Sequence, residues 1–190
     1  MISGFKKLVF ATVFMPTLAS ADALNYKYVE GGLNMFYVED EDLMGFQGRG
    51  AFSISENIFA LAGVRSLSDT GDYSHVWLGA GYNQTLNQQT SAWAGVSVDN
   101  QETEWEEETR FYRVRYRSKE TALGLRGGIR HQLNQQVELA GTARIVTGDL
   151  DHYAVSGTTR FAITPQFNLL GEIEIMEGDL GLLLGGSFFF

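Results

Sequence analysis

Leu180-Gly-Leu-Leu-Leu-Gly-Gly-Ser-Phe-Phe-Phe190 is the stretch that decides the fold. Leu180, Leu182, Leu184, Gly186, Phe188 and Phe190 fall on one side of an extended chain, and Gly181, Leu183, Gly185, Ser187 and Phe189 on the other. Successive side chains of a strand point to opposite faces, so this is a strand with a continuous apolar face that runs into a terminal aromatic. In a membrane barrel the first set faces lipid and the second faces inward.

The same alternation extends back through the chain. Val29, Gly31, Leu33, Met35 and Tyr37 oppose Tyr28, Glu30, Gly32 and Asn34; Met44, Phe46, Gly48, Gly50, Phe52 and Ile54 oppose Gln47, Arg49, Ala51 and Ser53. Further strands are expected at about 58–66, 73–85, 91–106, 113–133, 137–147, 152–163, 167–176 and 180–190, which makes ten with the first two. The third is ambiguous, since Ile58/Ala60/Ala62/Val64 and Phe59/Leu61/Gly63/Arg65 both read as apolar faces.

The connections are of two kinds and alternate strictly. Ser55-Glu56-Asn57, Asn87-Gln88-Gln89, Asn134-Gln135-Gln136 and Thr164-Pro165-Gln166 are short turns; Glu39 to Asp42, Ser66 to Asp72, Glu106 to Glu108, Gly148 to Asp151 and Glu177 to Asp179 are acidic. Tight turns at one end and charged loops at the other is the layout of an outer-membrane barrel, with the tight end in the periplasm. An even strand number brings both ends of the barrel to that side, so the last strand can close on the first and leave no edge. Pro165, the only proline besides Pro16, sits in a turn where no ladder donor is lost. The expected fold is therefore all-β: a closed antiparallel up-and-down transmembrane barrel of about ten strands. A soluble barrel of the lipocalin kind is the competing reading, but it would need an apolar calyx, and the inward faces carry arginine and glutamate.

Lys6 and Lys7, the apolar run Leu8 to Phe14 and Ala19-Ser20-Ala21 have the form of a cleaved signal peptide, residues 1–21, ahead of a barrel over 22–190. Cleavage after Ala23 is the alternative. Removing residues 1–21 takes two lysines from 14 Lys+Arg and leaves all 23 Asp+Glu, a net charge of −11. That acidity disfavours nucleic acid. With no cysteine, disulfides, thiolate metal sites and thiol nucleophiles are excluded. After the signal no stretch approaches the roughly 18–20 apolar residues of a spanning helix, so strands must make any crossing.

Glu30, Arg49, Arg126, Arg130, Glu138, Arg144, Arg160, Glu172 and Glu174 lie on inward faces and are expected to form a lumen charge network, because buried charges must pair. Arg49, Arg126, Arg144 and Arg160 are the expected partners of the four glutamates. Trp77 and Trp93 also point inward. Ten strands is close to the number at which side chains fill a barrel, so a narrow or closed lumen is expected, with a narrow channel as the alternative. Phe52, Tyr82, Phe161, Phe167 and Phe190 near the tight turns, and Tyr37, Phe46 and Tyr153 toward the acidic end, read as two interfacial girdles.

Strands five and six exceed the roughly 9–11 residues a spanning strand needs. Glu102, Glu104 and Glu106 alternate on one, Arg113, Arg115 and Arg117 on the other. Placing Glu106 opposite Arg113 sets Glu104 against Arg115 and Glu102 against Arg117, and also Val98 against Thr121, Val96 against Leu123 and Ala94 against Leu125. The expectation is an extracellular hairpin whose ion-pair ladder sets register and could offer arginines to lipopolysaccharide phosphates. For chemistry, His75 with Asp69 and Asp72, and His152 with Asp149 and Asp151, make a conceivable rim site, but in no recognised catalytic or metal-ligand spacing. No catalytic residue, metal or cofactor is expected.

Tyr26-Lys-Tyr-Val-Glu-Gly-Gly32, Leu78-Gly-Ala-Gly-Tyr82 and Gly185-Gly-Ser-Phe-Phe-Phe190 together resemble the small proteobacterial outer-membrane β-barrel domain family of the OmpA/OmpX-like kind, in particular a ten-stranded subgroup with the YxYVEGG start. The resemblance covers the whole mature chain and rests on structural motifs. It implies export through the periplasm and a monomer in the outer membrane, among lipid and lipopolysaccharide. The ending also resembles that of outer-membrane barrels as a group, which implies that Phe188 and Phe190 are read by the barrel assembly machinery. The family has no shared reaction, so function does not follow from it.

Overall fold

The computed structural model describes residues 24–38, 41–69, 71–109, 112–148 and 151–190. The expected signal peptide and both candidate cleavage sites lie outside them. Ten strands follow in order: β1 (Tyr28–Val38), β2 (Glu41–Ser53), β3 (Ile58–Ser68), β4 (Gly71–Asn87), β5 (Thr90–Thr109), β6 (Tyr112–Gln132), β7 (Val137–Val146), β8 (His152–Ala162), β9 (Phe167–Met176) and β10 (Asp179–Phe189). Each pairs antiparallel with its neighbour in sequence, and β10 closes on β1 from Tyr28 opposite Phe189 to Tyr37 opposite Leu180. Phe190 adds a seam beyond the last rung: its N–H donates to the Lys27 carbonyl at 3.1 Å, and its ring lies 6.4 Å from that of Phe52.

The alternating pattern sorts residues between two environments. Leu33, Leu78, Leu123 and Leu184 are 62–68 % exposed on the outside, whereas Glu30, Arg65, Arg130, Arg160 and Glu174 are buried inside. A barrel with leucine outside and charge inside is inverted relative to a water-soluble protein and matches hydrocarbon surroundings. The ambiguity of β3 is resolved by packing: Ile58 and Val64 face out, and Phe59 and Leu61 are buried with Tyr26, Ala51 and Trp77 in an apolar cluster within the lumen. Alternation alone left β3 open because the interior is not uniformly polar.

The tight turns follow from their first residue. Asn87 Oδ1 accepts the Gln89 N–H at 2.9 Å, Asn134 Oδ1 the Val137 N–H at 3.0 Å, Thr164 Oγ1 the Phe167 N–H at 3.0 Å and Ser55 Oγ the Ile58 N–H at 3.2 Å. Short polar side chains that bond the backbone two or three residues on are what close such turns.

The stretches read as acidic loops are partly strand. Glu41, Asp42, Asp72 and Asp179 lie within strands, and only the β7–β8 connection exceeds two residues. The β9–β10 turn shows how little chain is required: Glu177 and Gly178 both have positive φ, 56° and 111°, the conformation of a two-residue hairpin turn.

The β5–β6 hairpin outreaches its neighbours. β4 leaves β5 at Gly71 opposite Trp105, and β7 leaves β6 at Val146 opposite Gly124, whereas β5 and β6 continue to Thr109 opposite Tyr112. The register is two residues from the expected one. Glu106 lies opposite Arg115, Glu104 opposite Arg117 and Glu102 opposite Lys119, with Glu108 opposite Arg113; lower down, Val98 meets Leu123 and Val96 meets Leu125. A slip of two keeps every residue on its face, so facial pattern cannot detect it. The short connection between Thr109 and Tyr112 sets it instead. Among described side chains, Glu102 reaches diagonally to Arg117 and lies 3.7 Å from Lys119.

Candidate functional site

The candidate site is the lumen, and it is built from the inward residue of each strand. At the tight-turn end the Tyr26 and Phe59 rings stack at 4.5 Å, Trp93 meets Phe59 edge-on at 5.9 Å, and the Tyr26 hydroxyl lies 3.1 Å from Ser91 Oγ. The Arg130 guanidinium lies 4.8 Å from the Tyr26 ring centre and 5.3 Å from that of Tyr28. Cations over aromatic faces retain favourable electrostatics where water is scarce.

From Arg130 a chain of ion pairs climbs the wall. Arg130 donates Nε and Nη2 to the two Glu138 oxygens, both at 2.9 Å. Arg160 joins Glu138 at 2.7 Å to Glu30, which it holds bidentately at 2.9 and 3.0 Å. Arg49 Nε reaches Glu30 at 2.5 Å while its two Nη atoms grip Glu172. Ser187 of β10 donates to Glu30 at 3.1 Å, and Thr158 donates to Glu172 at 2.5 Å. Fork-shaped pairing with hydroxyl support is the arrangement in which buried charges keep their hydrogen bonds.

Above this chain, Arg65 crosses from β3 to Glu174 on β9, with Nε 2.6 Å from Gln47 Oε1. Arg144 shares Glu174 at 2.5 Å and donates Nε to His152 at 3.2 Å. Beside them Arg126 pairs with Asp99, which accepts from Ser97 Oγ at 2.5 Å and lies 2.7 Å from His75 Nε2. Gly124 makes room for this group: a β-carbon there would stand 2.4 Å from Asp99 Oδ2.

The chain is similar to solved outer-membrane β-barrel structures. It resembles the translocator domain of the autotransporter NalP from Neisseria meningitidis (TM-score 0.50, 9 % identity, 90 % of this chain and 91 % of that one). It also resembles a KdgM porin (TM-score 0.49, 11 % identity, 86 % and 99 %) and the N-terminal β-barrel domain of Pseudomonas aeruginosa OprF (TM-score 0.49, 12 % identity, 86 % and 98 %). The fold is that of an outer-membrane β-barrel. At such identities the likeness extends to fold and no further. No family model and no curated protein matches the chain.

All nine residues read as a lumen network stand inside the barrel, but the pairing differs from the expected one: Glu138 is held by Arg130 as well as Arg160, and Glu174 by Arg65 as well as Arg144. Arg126 meets Asp99 rather than a glutamate. Several members, among them Arg65, Asp99 and Ser97, are not among the expected network residues. Arg65 was hidden by the ambiguity of β3, and Asp99 and Ser97 lie on a strand read mainly for its charged tip. The signal was available, since Ser97 and Asp99 share the inward parity of Trp93. His75, expected near Asp69 and Asp72, bonds Asp99 instead, and its ring lies 5.8 Å from that of His152. In this cluster Ser97 bonds the carboxylate directly, and no Ser–His contact completes a triad among the described residues. Nor do three or more His, Asp or Glu among them converge as metal ligands.

Of the hairpin residues, Glu102, Glu104, Glu106, Arg113, Arg115 and Arg117 all lie on the two extended limbs, in the shifted register. Phe188 and Phe190 are exposed on the outer surface, their rings 6.5 Å apart.

Proposed function

We propose that this chain is a bacterial outer-membrane barrel of the OmpA/OmpX-like kind, with a structural or surface-interaction role in the envelope and a lumen that acts as an ion-paired plug. The observation that carries this reading is the wall-to-wall bridging of the lumen by Arg49 to Glu172 and Arg65 to Glu174. Opening a solute path past these pairs would strand buried charges. The cavity among these lumen side chains is about 90 Å³, room for a few waters rather than a metabolite. The apolar exterior supports placement in the outer membrane, reached through the periplasm.

With the lumen closed, contact with the surroundings falls to the β5–β6 hairpin, whose Arg113, Arg115 and Arg117 we assign to lipopolysaccharide phosphates. A narrow channel is the competing reading, and planar-bilayer recording separates the two. The plug predicts no large, steady single-channel conductance from the refolded barrel; a stable open level of porin size would overturn it. An R113A/R115A/R117A variant should bind lipopolysaccharide more weakly, and unchanged binding would remove the assignment to the hairpin.

A further inference from the structure

Two lumen arginines are less completely satisfied than the rest. Arg49, Arg65 and Arg160 each use Nε, Nη1 and Nη2 on side-chain acceptors, and Arg130 does the same with the Asn25 carbonyl as its third partner. Arg126 engages only Nε and Nη2, with Ser97 and Asp99. Arg144 engages Nε and Nη2, with His152, Glu174 and Met176. Nη1 of Arg126 and Nη1 of Arg144 have no acceptor among the described residues, and both arginines line the same cavity of about 90 Å³.

Two further donors line that cavity. Trp93 Nε1 and Thr142 Oγ1 lie 2.9 and 3.2 Å from where a β-carbon on Gly128 would be, and neither makes a side-chain hydrogen bond among the described residues. An indole N–H and a guanidinium N–H can only donate.

Charge points the same way. In the network just described, six arginines (Arg49, Arg65, Arg126, Arg130, Arg144, Arg160) meet five carboxylates (Glu30, Asp99, Glu138, Glu172, Glu174). The shortfall falls where Arg65 and Arg144 divide Glu174 between them. Water can occupy the donors, but it cannot neutralise a positive charge enclosed by a barrel wall.

We propose that the lumen cavity is a binding site for one small monovalent inorganic anion of the halide class, held by Arg126, Arg144, Trp93 and Thr142. Its charge balances the sixth arginine, and it takes the four donors that the protein leaves unmatched. The inference stands on the lumen geometry and is independent of the role assigned to the hairpin.

Chloride-35 NMR line broadening on the refolded full barrel tests it, with chloride replaced by gluconate to hold ionic strength constant. The expected result is saturable excess broadening that bromide competes away. Thr142→Glu, which supplies a tethered carboxylate, and Arg144→Gln, which removes the excess charge, should each raise the apparent dissociation constant at least tenfold. Trp93→Phe, which changes no charge, should weaken binding several-fold and guards against misreading a charge variant that fails to fold. Arg117→Gln on the hairpin should change nothing. The proposal is overturned if the unaltered barrel shows no saturable broadening, if Thr142→Glu and Arg144→Gln both fold and leave it unchanged, or if Arg117→Gln abolishes it.

Discussion

At the scale of single residues, Glu30 is the joint of the lumen. It is 5 % exposed and takes bonds from Arg49, Arg160 and Ser187 at once. Glu30→Ala leaves the buried Arg160 and the partly buried Arg49 each short of a partner, and such losses cost about 3–5 kcal/mol. Urea unfolding from lipid vesicles, followed by tryptophan fluorescence, should register that cost; a change below about 1 kcal/mol would mean the network is not held together at this point. Gly124 tests the neighbouring cluster by volume instead of charge. Gly124→Ala drives a methyl into Asp99 and should destabilise by about 1–3 kcal/mol in the same assay. The pairing of Arg126 with Asp99 was not legible in the sequence, because glutamates of the same parity lay on other strands and nothing local ranks one carboxylate above another.

At the scale of elements, turns and hairpins divide cleanly into what is local and what is not. The four tight turns were readable because Ser55, Asn87, Asn134 and Thr164 act within three residues of themselves. The β9–β10 turn is likewise local. Gly178→Ala places a β-carbon at a φ of 111° and should lower stability by about 1–2 kcal/mol, measured by urea unfolding, with no change in strand content by circular dichroism. The β5–β6 ladder contributes little energy by comparison. The Glu102 and Arg117 side chains are 25 % and 61 % exposed, so a double-mutant cycle on the pair should return a coupling no larger than about 1 kcal/mol. A coupling of several kcal/mol would show the ladder to be a principal source of hairpin stability. Its weakness fits a hairpin whose register is set by the short connection, since the repeated charges tolerate a slip of two.

At the scale of the whole molecule, closure matters most. Phe190 bonds the chain just ahead of β1 and lies over Phe52, so the last residue completes the seam between first and last strands. Deleting Phe190 should reduce insertion into the outer membrane by cell fractionation while export to the periplasm continues. Normal insertion of the deletion variant would disprove the role given to the terminal aromatic. Leu180 to Phe190 by itself determined that a strand exists, which of its residues face out and where it ends, because a period of two is a property of the backbone. Repeated ten times, that period also determined the strand order and the division between apolar exterior and charged interior. Only the tertiary structure decided depth. Whether Arg65 meets Glu174 or another acid, whether Arg126 meets Asp99, and which of two equivalent registers the β5–β6 hairpin adopts depend on how far each strand is displaced along its neighbour. Alternation carries no information about displacement by an even number of residues, so the hairpin register comes from its short connection and the cross-lumen contacts from closure.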